Sequence, residues 1–217
     1  MRRLEFFSEG EIFHIYNKSI SNFGIFKSKE NSQRFLNLLD YYNNNNIKIK
    51  FSDAVDRGIY TFSNILLPKS DSLVKFLSYC IMPDHYHLLI KIIHNNCLSH
   101  YIGNIENSFT RYFNIKFNRR GPLWQSEFKA VRITSDEQFL HVSRYIHLNP
   151  TTAGLVKKPE DWKFSSYKDI ISDDHFLKEV LTEFSITDRL FYQKFVNDNK
   201  DYQKKLKMIK RLVLENA

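Results

Sequence analysis

The segment Met82-Pro83-Asp84-His85-Tyr86-His87-Leu88-Leu89-Ile90 places two histidines on either side of a bulky residue inside an apolar run. In an extended strand alternate side chains share a face, so His85 and His87 point one way and Tyr86 the other. Two imidazoles about 7 Å apart on one face form half of a metal site. A second segment, Arg144-Tyr145-Ile146-His147-Leu148-Asn149-Pro150, lies downstream. There His141, Tyr145 and Asn149 are spaced i, i+4, i+8 and share a helical face. Phe139, Val142 and Ile146 supply an apolar face that can pack on a sheet. Each segment alone has an ordinary explanation: half-buried strand histidines, a core tyrosine, an asparagine ending a helix before proline. Taken together they point to metal-assisted cleavage of a phosphodiester with a tyrosine as nucleophile.

The elements that must position these groups follow from periodicity. Glu11-Ile12-Phe13-His14-Ile15-Tyr16-Asn17 alternates and predicts a first strand. A helix is expected from Lys29 to about Tyr42, ended by the polar run Asn43-Asn44-Asn45-Asn46. Residues 43–72 read as an irregular insertion with a helix near Phe62. Phe76 to Ile81 and His85 to Ile93 are strand-like and bent around Pro83. Asn95 to Lys116 shows helical spacing at Leu98, Ile102, Ile105, Phe109, Tyr112 and Phe113. A basic loop follows, and Leu123 to Ile133 reads as a strand pair or one bent strand. Ser135 with Gln138 forms a capping box for a helix running to about Leu148, where Pro150 should stop it. From about His175 the composition shifts to a helical appendage ending in the basic run Lys204 to Arg211. The expected division is therefore a catalytic domain over 1–172 and a C-terminal helical appendage over 173–217.

Bulk properties narrow the partners. The 217 residues carry a formal charge of +8 and a pI near 9.3, a balance suited to a polyanion. With only 6 glycines, 5 prolines and 42% hydrophobic residues, the chain is neither disordered nor collagen-like. Two cysteines, Cys80 and Cys97, make no disulfide framework and fit a reducing compartment. No apolar run approaches the ~20 residues of a membrane span. A soluble, cytoplasmic protein with no membrane partner is expected.

Several segments, in order, resemble one family. Met82 to Ile90 resembles the histidine–bulky–histidine signature of the HUH endonucleases. His14-Ile15-Tyr16-Asn17-Lys18, Gly121-Pro122-Leu123-Trp124-Gln125, Tyr145-Ile146-His147-Leu148-Asn149-Pro150, Ala153-Gly154-Leu155-Val156 and Phe164-Ser165-Ser166-Tyr167 resemble the single-tyrosine transposases. The nearest branch is that of the REP-associated tyrosine transposases. The resemblance covers roughly residues 10 to 170, apart from the stretch near 43–72. Tyr86 departs mildly from the signature, whose central residue is normally apolar.

The resemblance implies an α+β fold: an antiparallel sheet flanked by helices, of ferredoxin-like or RNA-recognition-like topology. It implies Tyr145 as nucleophile, His85, His87 and Asn149 as metal ligands, and Mg²⁺ or Mn²⁺ as the metal. The implied substrate is single-stranded DNA with a hairpin, cut and joined through a 5′-phosphotyrosine. Either a monomer or a homodimer would satisfy it. Arg111, Lys116, Arg119, Arg120, Lys129, Arg132 and Arg144 are candidate phosphate contacts, and Trp124 is a candidate base-stacking residue or core residue. Two other readings of the same residues stand beside this one. One is a non-catalytic nucleic-acid-binding module; the other is a metal-dependent phosphodiesterase without a covalent intermediate.

Overall fold

Alternating strands and helical stripes combine into one sheet with helices on both faces. The computed structural model describes residues 7–172 and 189–198. Along the chain run β1 (Ile12–Lys18), α1 (Lys29–Tyr42), α2 (Phe51–Asp56), β2 (Val74–Ile81), β3 (His85–Ile92), α3 (Leu98–Lys116), β4 (Lys129–Ile133), α4 (Asp136–Thr152), α5 (Tyr167–Ser172) and α6 (Arg189–Asn197). The strands form an antiparallel sheet in the order β2-β3-β1-β4. With α1 before β2 and α3 before β4, this is the ferredoxin-like arrangement.

Side-chain alternation gives the sheet two different faces. One carries Phe13, Ile15, Phe76, Tyr86, Leu88 and Ile90, all buried. It packs against α1 and α3, where Phe26, Phe35, Phe109 and Trp124 stack around Tyr86. The other face carries His14, Tyr16, His85 and His87 and is partly covered by α4. Phe139 and Ile146 of α4 are buried as their spacing predicts.

Three expectations need correction. Phe62 lies outside any helix; the short helix of that region is α2, and the region is anchored rather than loose. Buried Asp40 accepts bonds from Tyr60 Oη, Ser63 N and Oγ, and Lys69 Nζ. Asn43 ends α1 as expected and does more. Its Oδ1 accepts from Leu73 N and Val74 N, and its Nδ2 donates to Val74 O, tying the insertion to β2. Leu123 to Ile133 forms a strand only from Lys129. Earlier in that stretch Trp124 makes an isolated bridge to Ser19, and Ser126 O is taken by Asn17 Nδ2, which bends the chain away.

Finally, α4 passes through Pro150, ends at Thr152 and is capped by Ala153. Proline deprives the Ile146 carbonyl of its donor, but the end is closed two residues later. Gly154, at φ +73°, lets its own N–H reach Thr151 O and the Leu155 N–H reach Pro150 O. That paired pattern is a Schellman closure, which needs the left-handed geometry glycine adopts freely.

Helix α6 joins the body through α4. Tyr192 Oη lies 2.7 Å from His147 Nδ1, and Ser166 Oγ lies 2.9 Å from His147 Nε2. The basic run Lys204 to Arg211 falls outside the described residues. Among those described, no helix is long and apolar enough to cross a membrane.

His147 is fully buried, and burial lowers its pKa from 6.5 to about 3. Between those values the unfolded chain binds a proton that the folded chain refuses, so stability falls as pH drops below 6.5 and is unaffected above it. The loss is about 1.4 kcal/mol per pH unit, or roughly 2 kcal/mol by pH 5. Urea midpoints at pH 7 and pH 5 should show this decline. Histidine-detected NMR should find the His147 ring neutral throughout that range; a His147 titration near 6.5 would contradict its burial as a neutral group.

Candidate active site

The turn Met82-Pro83-Asp84 joins β2 to β3 and closes with Met82 N donating to His85 O. Proline suits this position because no ladder bond is asked of its nitrogen. The turn also aims Asp84 back at the strand. Its Oδ1 lies 2.6 Å from His85 Nδ1, and its Oδ2 lies 3.4 Å from Lys18 Nζ. The carboxylate thus orients the His85 ring and leaves Nε2 as the nitrogen turned from that bond, the arrangement usual behind metal-bound histidines. The bonds and charges of His85 and Lys18 hold the Asp84 carboxyl below its usual range, against the opposing effect of its partial burial.

Strand register brings β1 into the same site. Tyr16 stands opposite His87, and Lys18 opposite His85. Tyr145 reaches over this group from α4. Its ring centroid is 5.4 Å from that of His87 and 6.3 Å from that of His14, both edge-on. Tyr145 stays 43% exposed, unlike its helical neighbours Ile146 and His147. A cleft of about 240 Å³ opens here, lined by Tyr16, Asn17, Lys18, His85, His87, Gln125, Ser126, Lys129 and Tyr145. Desolvation raises the Tyr145 pKa, a hydrogen bond with the Asn149 side chain opposes the rise, and the neighbouring Tyr16 adds to it. The phenol is therefore protonated at neutral pH.

The histidines of this face are kept neutral by burial. His14 is lowered to about 4, and His87 falls well below 6.5, with the charges of His85 and His14 adding to desolvation. A neutral imidazole is the form that ligates metals. His87 Nε2 is buried and has no hydrogen-bond partner. An orphaned buried nitrogen beside a second, carboxylate-backed imidazole fits a cation site. Among the described residues no three His, Cys, Asp or Glu side chains converge to complete one, so a third protein ligand would come from another oxygen donor, such as an amide, a hydroxyl or a backbone carbonyl. Asn149 lies one turn beyond Tyr145, with its Nδ2 donating to Tyr145 O. It is buried at 7% exposure and does not line the cleft.

The chain is similar to known proteins in sequence and in fold. Residues 60–149 match the family described as "Transposase IS200 like". Over that stretch the chain is similar to the IS200-like transposases. A Haemophilus influenzae relative assigned to the REP-associated tyrosine transposases is 30% identical over 103 residues, covering 42% of this chain and 57% of its own length. The Escherichia coli REP-associated tyrosine transposase is 26% identical over 104 residues, covering 48% of this chain and 60% of its own. The matched stretch thus spans somewhat over half of each relative. A solved REP-associated tyrosine transposase bound to a REP hairpin shares the fold, with a TM-score of 0.58 at 15% identity over 80% of this chain and 87% of that one.

The candidate phosphate-contacting residues, with Trp124, divide into groups. Lys129 lines the cleft, its Nζ 6.0 Å from the Tyr16 ring. Arg111, Arg119 and Arg120 line a separate open groove at the C-terminal end of α3, with Asn107, Thr110, Asn114 and Asn118. Arg119 is partly engaged there, donating to Asn114 Oδ1 and Pro122 O. The rest are held elsewhere. Lys116 pairs with Glu30 at 2.6 Å, and Arg132 with Glu11 at 2.8 Å. Arg144 turns away from the cleft: it is 7% exposed, over the Phe195 ring of α6, and donates to His141 Nδ1. Hence His141 does not join Tyr145 either. Trp124 is a core residue, packed among Phe26, Phe35, Tyr86 and Phe109, with Nε1 donating to Glu106 O.

His14, Tyr16, Lys18 and Asp84 were not singled out by spacing as site residues. His14 and Tyr16 repeat on β1 the i, i+2 pattern of His85 and His87, which was the available signal. Tyr86 faces the other side as expected, and its hydroxyl donates to buried Glu106 Oε1 at 2.7 Å. Glu106 Oε1 also accepts from Asn17 Nδ2 at 2.7 Å. This explains how a phenol replaces an apolar residue between the histidines. Tyr86→Phe should cost about 1–3 kcal/mol in urea unfolding, because a donor to a buried carboxyl is lost. Unchanged or higher stability would show that this bond contributes nothing.

Proposed function

We propose that this chain is a divalent-cation-assisted, single-stranded DNA endonuclease and strand-transferase that works through a covalent phosphotyrosine on Tyr145. The observation that carries the reading is the convergence of a partly exposed tyrosine on α4 with two same-face histidines on β3, in one cleft with lysines at its rim. A nucleic-acid-binding module needs no such convergence.

In the reaction Tyr145 Oη attacks the phosphorus of a DNA phosphodiester. The bond to the 3′-oxygen breaks, giving a 5′-phosphotyrosine and a free 3′-hydroxyl. The phenolic proton is balanced by the proton gained at the 3′-oxygen. Rejoining is the same exchange with a different 3′-hydroxyl as attacker, so bond energy is conserved and no nucleotide cofactor is consumed. Lys18 and Lys129 stand where they can hold the phosphate and favour the phenolate. Tyr16 and the Gln125–Ser126 wall limit the approach of the strand. His85 and His87 would hold Mg²⁺ or Mn²⁺, which supplies Lewis-acid withdrawal of charge from the phosphate; Asn149, outside the cleft lining, would serve as third ligand only by turning its amide oxygen toward it. Imidazole ligands favour Mn²⁺ over the harder Mg²⁺.

The relative that was solved bound to a REP hairpin supports a hairpin-bearing DNA partner. The groove of Arg111, Arg119 and Arg120 is suited to the phosphates of such a flank.

Two experiments test these claims. With hairpin-bearing single-stranded oligonucleotides and Mn²⁺, wild type should give a slow-migrating covalent adduct on a denaturing gel, absent in Tyr145→Phe. Cleavage that persists in Tyr145→Phe would overturn the tyrosine assignment and favour direct hydrolysis. For the groove, Arg111→Ala combined with Arg120→Ala should reduce the slope of log K against log [salt] by about 1–2, from roughly 0.7–0.9 per lost phosphate contact. An unchanged slope would remove the groove from the DNA path.

A further inference from the structure

We infer that His14 is a positioning residue that fixes the tautomer of His87 and so decides which ring nitrogen His87 offers to a cation. The inference rests on the reading of His85 and His87 as cation ligands.

His14 lies on β1, two residues before Tyr16, which stands directly opposite His87. The diagonal across the two strands brings the rings together nitrogen to nitrogen, with centroids 5.2 Å apart and planes 28° from parallel. His14 Nε2 is 3.0 Å from His87 Nδ1, inside the buried layer between sheet and α4. A hydrogen bond between two imidazoles needs one N–H and one lone pair. Two arrangements are therefore available. If His14 donates, the His87 proton must sit on Nε2, and that atom is buried without a partner. The result is an orphaned N–H, which no cation can satisfy. If His87 donates through Nδ1, its Nε2 carries a lone pair, and a cation is the partner that completes it.

The second arrangement makes the two histidines equivalent. His85 is held through Nδ1 by the Asp84 carboxylate at 2.6 Å. His87 is then held through Nδ1 by His14, and both rings present Nε2. Supporting groups of this kind are usually carboxylates or carbonyls. Here an imidazole takes that place for one of the two ligands. A neutral acceptor suits this position, since the His87 environment is far more enclosed than that of His85. The i, i+2 histidine–tyrosine pattern of β1 then has a purpose separate from that of the β3 pair: one strand supplies the ligands and the other their orientation.

The test uses the full chain and Mn²⁺ itself. Free Mn²⁺ is followed by electron paramagnetic resonance for wild type, His14→Phe, which keeps a ring but no acceptor, and His14→Gln, which keeps an acceptor. His14→Phe should weaken Mn²⁺ binding by about tenfold or more, the effect usual for removing a partner behind a metal-bound histidine. His14→Gln should stay much closer to wild type. Circular dichroism checks that each variant is folded. Nitrogen-15 NMR of the histidine rings in metal-free wild type reads the tautomer directly and does not depend on any metal.

A His87 proton on Nδ1, together with the ordered loss of Mn²⁺ affinity, is the expected result. A His87 proton on Nε2, or equal Mn²⁺ affinity in His14→Phe and wild type, would overturn the inference. If wild type itself fails to bind Mn²⁺, the cation reading falls. The His14–His87 arrangement is then judged by the NMR result alone, which supports it with the proton on Nδ1 and refutes it with the proton on Nε2.

Discussion

The register between β1 and β3 is the constraint on which the site depends. Seven consecutive pairs, from Ile12 with Lys91 to Lys18 with His85, align the two central strands. That alignment sets Tyr16 against His87 and brings His14 within hydrogen-bond reach of it. A slip of one residue would turn every side chain of one strand to the opposite face. His14 and Tyr16 would then enter the aromatic core under α1 and α3, and Phe13 and Ile15 would face the cleft. The burial of Phe13 and Ile15 on the helical side is thus what holds His14 and Tyr16 on the chemical side.

The core beneath the sheet is not purely apolar. Glu106 of α3 receives the hydroxyl of Tyr86 and the amide of Asn17, while its backbone carbonyl receives the indole of Trp124. These bonds join β3, β1 and the loop after α3 from below. Gln125 N donating to Lys18 O and Asn17 donating to Ser126 O carry the same connection to the cleft wall. A buried, well-partnered carboxyl ties several elements at once, as an apolar residue of similar size could not. The cleft's floor and one of its walls share a single support.

Charge is distributed unevenly across the two faces. Burial keeps His14, His87 and His147 neutral, so the cationic character of the cleft comes from Lys18 and Lys129 at its rim. The three arginines and lysine of the α3 terminus and following loop are divided by local pairing: Lys116 is spent on Glu30, while Arg111 and Arg120 remain exposed beside their groove. Net charge alone does not make this distinction. A basic side chain already engaged by an acidic or carbonyl partner offers less to an anion than one left free at a groove.

Local physics made much of this legible from the chain. The limits of α1 coincide with its helical period, the two faces of β3 follow from strand alternation, and Ser135 caps α4 through Gln138 N as its spacing requires. Tyr145 and the His85–His87 pair were also readable, since each depends on spacing within one element. What spacing could not supply was the meeting of separate elements. His14 and Tyr16 became part of the site through strand pairing across more than seventy residues. Arg144 was lost from it because α6 covers its side of α4, and Trp124 because the ring completes an aromatic core. Pro150 did not stop α4 at once, and Gly154 closes the helix beyond it. The sequence by itself determined which groups could do chemistry and how each is presented by its own strand or helix. Only the tertiary structure decided which of them share a cleft, because register and packing are set by non-local burial and not by periodicity within one segment.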